Sequence, residues 1–412
     1  MAGRGRQQLV AAQLQTPGVQ VRWGQQVQGI ERRGDGWAVT DVQGQTLGQA
    51  PWLVVASAFL SAGQRCSALR LLCLHQAVAD DMEAMLAGAL LTLVSGPPEV
   101  WSTDVGPVID THAQARLLSH LAALTEQAED AASGVHLIAQ APPPADPGEL
   151  PFVRASAWRI PTVSHLQAEH FGPILHVVHW GPGTHAPTLD DLIDQINASG
   201  YGLTLGLHTR MDERIQHVST RARVGNVYVN RNMVGAVVGS QPFGGHGKSG
   251  TGPKAGGAHY LPTLMRLAQF ENLGGEILPG PTGEQNSYRC RPRGRVWCTA
   301  RDAVQLRQQI DAVLATGNIA VVETGVFNRW HKQGVEWTDE IQLEYIDAAV
   351  CEHTPQRAHE VARALAAHSQ RIIPLVLANS DGTYPAYRLV CEQLVCTNTA
   401  AAGGNIELIA RV

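Results

Sequence analysis

The chain has 412 residues, of which 44% are hydrophobic and 16% charged, and its 31 basic and 36 acidic side chains leave a formal net charge of −5. That length holds two or three domains with a substantial core. The charge balance, with no long basic run, excludes electrostatic capture of nucleic acid or of an anionic membrane surface and leaves a small molecule as the expected partner.

In chain order, residues 1–18 carry Arg4 and Arg6 but no sustained apolar core behind them, so no secretory signal is expected there. No run reaches the roughly 20 apolar residues that a bilayer span requires. Residues 19–55 read as β structure: VQVRWGQQV, then GIERRGDGWAVTDV around a GDG turn, then the apolar run PWLVVAS. Beyond Cys66 the pattern changes to α/β alternation. LRLLCL reads as a short buried strand, AVADDMEAMLAGAL as a helix, and ARLLSHLAALTEQAEDAA (115–132) as a second, amphipathic helix. QAPPPADPGELP (140–151) is a proline-rich surface connection. A strand at ILHVVHW, a helix at LDDLIDQINA with aspartates suited to its first turn, a helix at MDERIQHVSTRA and a strand at GNVYVN follow. Residues 234–257 are rich in glycine, which suits either a close approach of backbone to a ligand or a tight crossing of two elements. LGGEILPGPTGEQ (273–285) reads as a linker. After it, RVWCTA, RDAVQLRQQIDAVLA, NIAVVE, QRAHEVARALAAH and RIIPLVLA alternate strand and helix, which predicts a smaller parallel α/β unit.

The seven cysteines (66, 73, 290, 298, 351, 391 and 396) are scattered and never form a CxxC pair. This argues against a disulfide framework or a zinc site and suits a reducing cytoplasm. His176 and His179 in HVVHW are not expected to ligate a metal, because strand positions three apart point to opposite faces. One thiol stands out. SAGQRCSALR (61–70) sets Cys66 behind a small-residue turn and, by the pattern, ahead of an apolar helix, whose N-terminus would lower a thiol's pKa and offer N–H groups to an oxyanion. An inert buried cysteine fits the isolated segment equally well, and context decides between them.

SAGQRC, EHFGPIL (169–175), NASGYGLTLGLHTR (197–210), GNVYVNR (225–231) and QPFGGHGKSGTG (241–252), in this order, resemble the aldehyde dehydrogenase superfamily. SAGQRCSALRLLCL, TDVGPVID (103–110), NRNMVGAVVGSQPFGG (230–245) and GTGPKAGG (250–257) resemble more closely the L-glutamate γ-semialdehyde dehydrogenase module of the proline utilization A family. LPGPTGE (278–284), PRGRVW (292–297) and TNTAAAGGN (397–405) resemble the extra C-terminal domain of that family's long members. The resemblance implies an α/β fold: an aldehyde dehydrogenase catalytic domain on a parallel sheet, a smaller C-terminal α/β domain and a short β-rich N-terminal segment. The boundaries expected are 1–56 for the β-rich segment, 57–262 for the catalytic half, 263–285 for the linker and 286–412 for the C-terminal domain.

The resemblance also implies roles. Cys66 would attack an aldehyde carbon, giving a thiohemiacetal, then a thioester that water hydrolyses. Glu169 would bind the nicotinamide ribose of NAD, with Phe171 beside its ring. Ser67 and the backbone of Gly235 and Ala236 would anchor the substrate α-carboxylate, and Phe243 would line its aliphatic stem. Arg65 and Cys73 read as structural. Association into homo-oligomers is expected from the family.

Only 65 residues precede Cys66, and they contain no ELGG-like general-base motif and no phosphate-cradling glycine turn; Glu31 is their one glutamate. Instead, TPGVQVRWGQQVQGIERRGDGWAVTDVQGQTLGQAPWLVVAS resembles a segment of FAD-dependent amine oxidoreductases of the tRNA wobble-uridine-modifying type. The flavin fingerprint GxGxxG is missing, so FAD is not expected to bind. A junction near residues 51–58 suggests fused gene fragments or a misassembled reading frame. The expectation is therefore oxidation of L-glutamate γ-semialdehyde to L-glutamate by ancestry, impaired by an absent cofactor domain and base. The alternatives are a non-enzymatic fragment or subunit, or a residual thiol esterase.

Overall fold

The computed structural model describes residues 28–33, 36–41, 50–145, 148–182, 186–265, 270, 273–324, 331–368 and 372–399. Of the flavoprotein-like segment, this includes the antiparallel pair of β1 (Gln28–Arg33) and β2 (Gly36–Asp41) and the beginning of a helix; the rest, with the first two residues of the expected GDG turn, lies outside the described residues. PWLVVAS, expected as a strand, instead belongs to helix α1 (Ala50–Phe59). A continuous apolar run suits either element. Burial decides: Val54, Val55, Ala58 and Phe59 are buried, the spacing of a helix face.

Beyond α1 come β3 (Leu71–His75), α2 (Gln76–Leu91), α3 (Thr111–Glu129), β4 (His136–Gln140), β5 (Ser156–Arg159) and β6 (Ile174–Trp180). The strands form a sheet in the order β3-β6-β5-β4, parallel except for β4 at the edge. The N-cap of α3 is Asp110, whose carboxylate accepts the Ala113 N–H at 2.7 Å. Ala113, Leu117, Leu121 and Leu124 then give α3 one buried face on the sheet's core.

A second sheet joins distant parts of the chain. After α4 (Leu189–Ala198), closed by a Thr188–Asp191 capping box, the elements are β7 (Tyr201–Gly202), β8 (Thr204–Leu207), α5 (Asp212–Arg221), β9 (Asn226–Val229), β10 (His246–Gly247), α6 (Tyr260–Leu264), β11 (Glu276–Leu278) and β12 (Glu284–Pro292). The third sheet, all parallel, contains β13 (Arg295–Cys298), β14 (Ile319–Glu323), β15 (Val335–Thr338), β16 (Ala348–Cys351) and β17 (Leu375–Leu377). Its order is β15-β14-β13-β16-β17, with α7 (Ala303–Ala315) and α8 (Pro355–Ala366) between strands. Strands β13, β14 and β17 and both helices follow the order of the parallel α/β unit read from the sequence, whereas β15 and β16 are strands that reading did not include.

The last strand, β18 (Val390–Asn398), leaves that unit and enters the second sheet, whose order is β11-β12-β18-β9-β8. It pairs antiparallel with β12 and parallel with β9. The segment read as a linker thus contains β11 and the first residues of β12, and β18 is a central strand beside β9. Among the described residues no helix is long and apolar enough to cross a membrane.

Candidate active site

Cys66 does not open a helix. It follows the C-terminal end of α1 and a tight turn (Leu60–Gly63), and leads through a turn into β3. The helix-dipole argument therefore does not apply to this thiol; LRLLCL takes the strand that its β-branched and leucine-rich neighbours on β6 pair with. What presents Cys66 is a left-handed turn: Ser61, Ala62 and Gly63 have φ of 58°, 54° and 64°. Such values are costly for Ser and Ala and persist only where neighbours enforce them.

Several bonds do so. Leu69 N–H donates to Ser57 O at 2.8 Å, Arg65 Nε to Ser61 Oγ at 3.0 Å, and Ile109 N–H to Gln64 Oε1 at 2.8 Å. The last bond ties the TDVGPVID loop to the cysteine loop. Cys66 is exposed, and its N–H donates to no group among the described residues, so it remains available to an oxyanion. Burial pushes the other thiols up: Cys73 to about 12, Cys290, Cys351 and Cys396 to about 11, with Cys298 and Cys391 also raised.

The EHFGP loop lies beside this turn. The Arg70 guanidinium, mostly buried, donates to Arg65 O at 3.1 Å and Gly172 O at 3.2 Å, and faces the Glu169 carboxylate at 3.6 Å. Its carbon sits 4.7 Å from the centre of the Phe171 ring. Arg70 therefore fastens the cysteine loop to Glu169 and Phe171 together. Phe171 remains 40% exposed.

Of the residues expected to hold substrate, Ser67 is buried and its Oγ accepts the Gly235 N–H at 3.3 Å. The structure thereby brings Ser67, next to the thiol, against the glycine-rich segment. Gly235 itself is exposed with φ +79°, and Ala236 is half-buried. Phe243, also half-buried, exchanges backbone hydrogen bonds with Ala255 at 3.0 and 2.9 Å, which fixes its strand-like posture. His176 and His179 have separate partners, His120 and Glu83.

A model of the aldehyde dehydrogenase family matches residues 46–299, well over half of the chain. The chain belongs to the aldehyde dehydrogenase family. It is 37% identical over 423 residues to the bifunctional protein PutA of Salmonella typhimurium, covering 86% of this chain and 31% of that protein. With the 1-pyrroline-5-carboxylate dehydrogenase of Bacillus subtilis it shares 31% identity over 210 residues, covering 50% of this chain and 38% of that protein. Proline utilization A from Corynebacterium freiburgense superposes with a TM-score of 0.61 at 23% identity, covering 85% of this chain and 37% of that one, which shows the fold. The chain spans about a third of the length of the PutA relatives it matches. The family works with a nicotinamide cofactor, NAD(P).

Two features of this aldehyde dehydrogenase chain escaped the motif reading. One is Arg70, whose signal was a lone charge inside the apolar run SALRLLCL, where burial demands partners. The other is a histidine cluster behind the EHFGP loop. His176 Nδ1–H donates to Arg70 O at 3.1 Å, which leaves Nε2 to accept from His120 Nε2–H at 2.9 Å, and the His120 ring stacks on His170 at 3.3 Å. Burial, reinforced by the neighbouring imidazoles, lowers His120 to about 4 and His176 to about 3.

The cluster is thus neutral in the fold, whereas the unfolded chain takes up these protons near pH 6.5. Its contribution to stability is present above about pH 6.5 and lost as the pH falls toward 4. Urea midpoints measured across that window are expected to fall more steeply for the parent than for His120→Gln. Parallel curves would exclude the cluster as the source.

Proposed function

We propose that this chain carries the thiol-bearing half-site for oxidising L-glutamate γ-semialdehyde to L-glutamate with NAD, by attack of Cys66 on the aldehyde carbon. One observation carries the reading: the single exposed cysteine has a free backbone N–H and sits in a loop that Arg70 fastens to Glu169 and Phe171. As the thiolate adds to the carbonyl, the oxygen gains charge, and the Cys66 N–H would donate a hydrogen bond to it. Ser67 and the Gly235–Ala236 backbone lie on the neighbouring side, where N–H groups and a hydroxyl suit the α-carboxylate. Phe243 would take the aliphatic stem.

An exposed aromatic residue and a carboxylate held by the same guanidinium suit a nicotinamide riboside, so Glu169 and Phe171 would hold that part of NAD. Bound there, NAD accepts hydride. The similarity to proteins named PutA and 1-pyrroline-5-carboxylate dehydrogenase supports the substrate class. Homo-oligomeric assembly and a reducing cytoplasm belong to the same reading; the cysteines are all free.

The test is protection of Cys66. L-Glutamate γ-semialdehyde, and L-glutamate more weakly, are expected to slow alkylation of Cys66, while acetaldehyde at equal concentration does not. Equal protection by all three would sink the substrate assignment. With semialdehyde and NAD the 412 residues alone are expected to form little NADH, because no ELGG-like base motif precedes Cys66. A clear rise in NADH absorbance would show instead that the chain supplies its own base. A second reading, thiol esterase activity, rests on the same exposed nucleophile and its free N–H.

A further inference from the structure

A cavity of about 180 Å³ lies between the glycine-rich segment and the start of β18, and none of the residues placed at the Cys66 site lines it. Its wall carries three cations, Lys254, Arg293 and Arg388, against one carboxylate, Glu392. Both oxygens of that carboxylate are engaged. Oε1 accepts from Tyr288 OH and Oε2 from the Lys254 backbone N–H, each at 2.6 Å.

Among the described residues none of the three cations lies within ion-pair distance of a carboxylate. The Lys254 ammonium is 2% exposed and donates to Asn226 Oδ1 and Gly244 O at 2.6 Å, both neutral, leaving one of its three hydrogens uncommitted. Arg293 directs Nε to Arg388 O at 2.7 Å and Nη1 to Cys391 Sγ at 3.6 Å. The Arg388 guanidinium bonds to no group among the described residues. Neighbouring groups register the resulting positive field: burial, then Lys254, Arg293 and Arg291, lower His246 to about 3, and burial lowers Lys254 to about 7. Like charges gathered around a low-dielectric cavity are unfavourable without a counter-ion.

We propose that this cavity is a binding site for a small phosphate-type oxyanion, held by Arg388 and Arg293, with Lys254 adding positive charge from the same wall. The charge balance selects the class: below about pH 7, with Lys254 protonated, three cations less one carboxylate leave two positive charges, which a dianion neutralises and a monocarboxylate does not. A tetrahedral oxyanion also offers acceptors toward donors that come from several directions. Because Lys254 adjoins Ala255, which pairs with Phe243, an anion here would stiffen the segment that carries Phe243.

Inorganic phosphate titrated calorimetrically into the full chain at constant ionic strength, with chloride as the balancing salt, is expected to give saturable binding of one anion per chain. Arg388→Gln is expected to weaken it about tenfold or more, and Arg388→Lys, which keeps the charge, by only about threefold. Far-ultraviolet circular dichroism checks that both variants fold, as expected for a side chain that bonds no group among the described residues. Sulfate, which keeps its charge across neutral pH, is expected to bind more weakly as the pH rises past about 7, where Lys254 loses its proton. An absence of saturable heat, equal affinity in the parent and Arg388→Gln, or binding matched by chloride would each overturn the proposal.

Discussion

Alkylation of the native chain with iodoacetamide is expected to stop at one thiol, Cys66, and to be lost in Cys66→Ala. The reason is the contrast among the seven cysteines. Cys66 is exposed, whereas the thiols of Cys290, Cys351 and Cys396 are pushed up to about 11 and that of Cys73 to about 12 by burial. At about pH 8 roughly a thousandth of a thiol with such a value is ionised, and only the thiolate attacks. Steric access lowers those rates further. In denaturant all seven should react, which gives the stoichiometric control. An activated ester is expected to acylate the same residue, with the burst lost in Cys66→Ala by at least about a hundredfold. Native labelling that spreads over several cysteines, or an ester burst equal in both proteins, would remove Cys66 from its role as the nucleophile.

The position of that thiol was legible from the SAGQRC motif and its order relative to EHFGP and QPFGG, but its surroundings were legible only in part. Helical and strand patterning located α2, α3, α4, α5 and strands β13, β14 and β17 of the third sheet, but not its β15 and β16. PWLVVAS failed as a strand since an unbroken apolar run carries no period. The helix expected directly behind Cys66 does not form: the chain turns there and enters β3, the strand expected at LRLLCL, which pairs with β6 about a hundred residues away. Long-range partners also hid β18 between β12 and β9, the Ser67–Gly235 bond and the Arg70 clamp. Each joins segments that no local window contains, so side-chain types marked the site while tertiary contacts arranged it.

The largest effect on stability is expected at Gly63, through backbone contact. Its φ of +64° places it in the left-handed region, and a Cβ there would overlap the Gly172 carbonyl and lie 2.8 Å from Ala58 O. Both neighbours are backbone, and one belongs to the loop that carries Phe171, so no side chain can turn aside to make room. Gly235 supplies the control. It too has positive φ, +79°, but nothing lies within 4 Å of its Cβ position. Gly235→Ala therefore tests conformational strain alone, about 1–2 kcal/mol. Gly63→Ala adds displacement of the Gly172 carbonyl, which Arg70 also grips, and is expected to cost more than about 4 kcal/mol by urea unfolding. The same change should slow Cys66 alkylation or ester acylation by separating the cysteine loop from Glu169 and Phe171. If Gly63→Ala and Gly235→Ala prove equally mild, the two loops do not meet backbone to backbone, and the geometry that unites Cys66 with Glu169 and Phe171 is wrong.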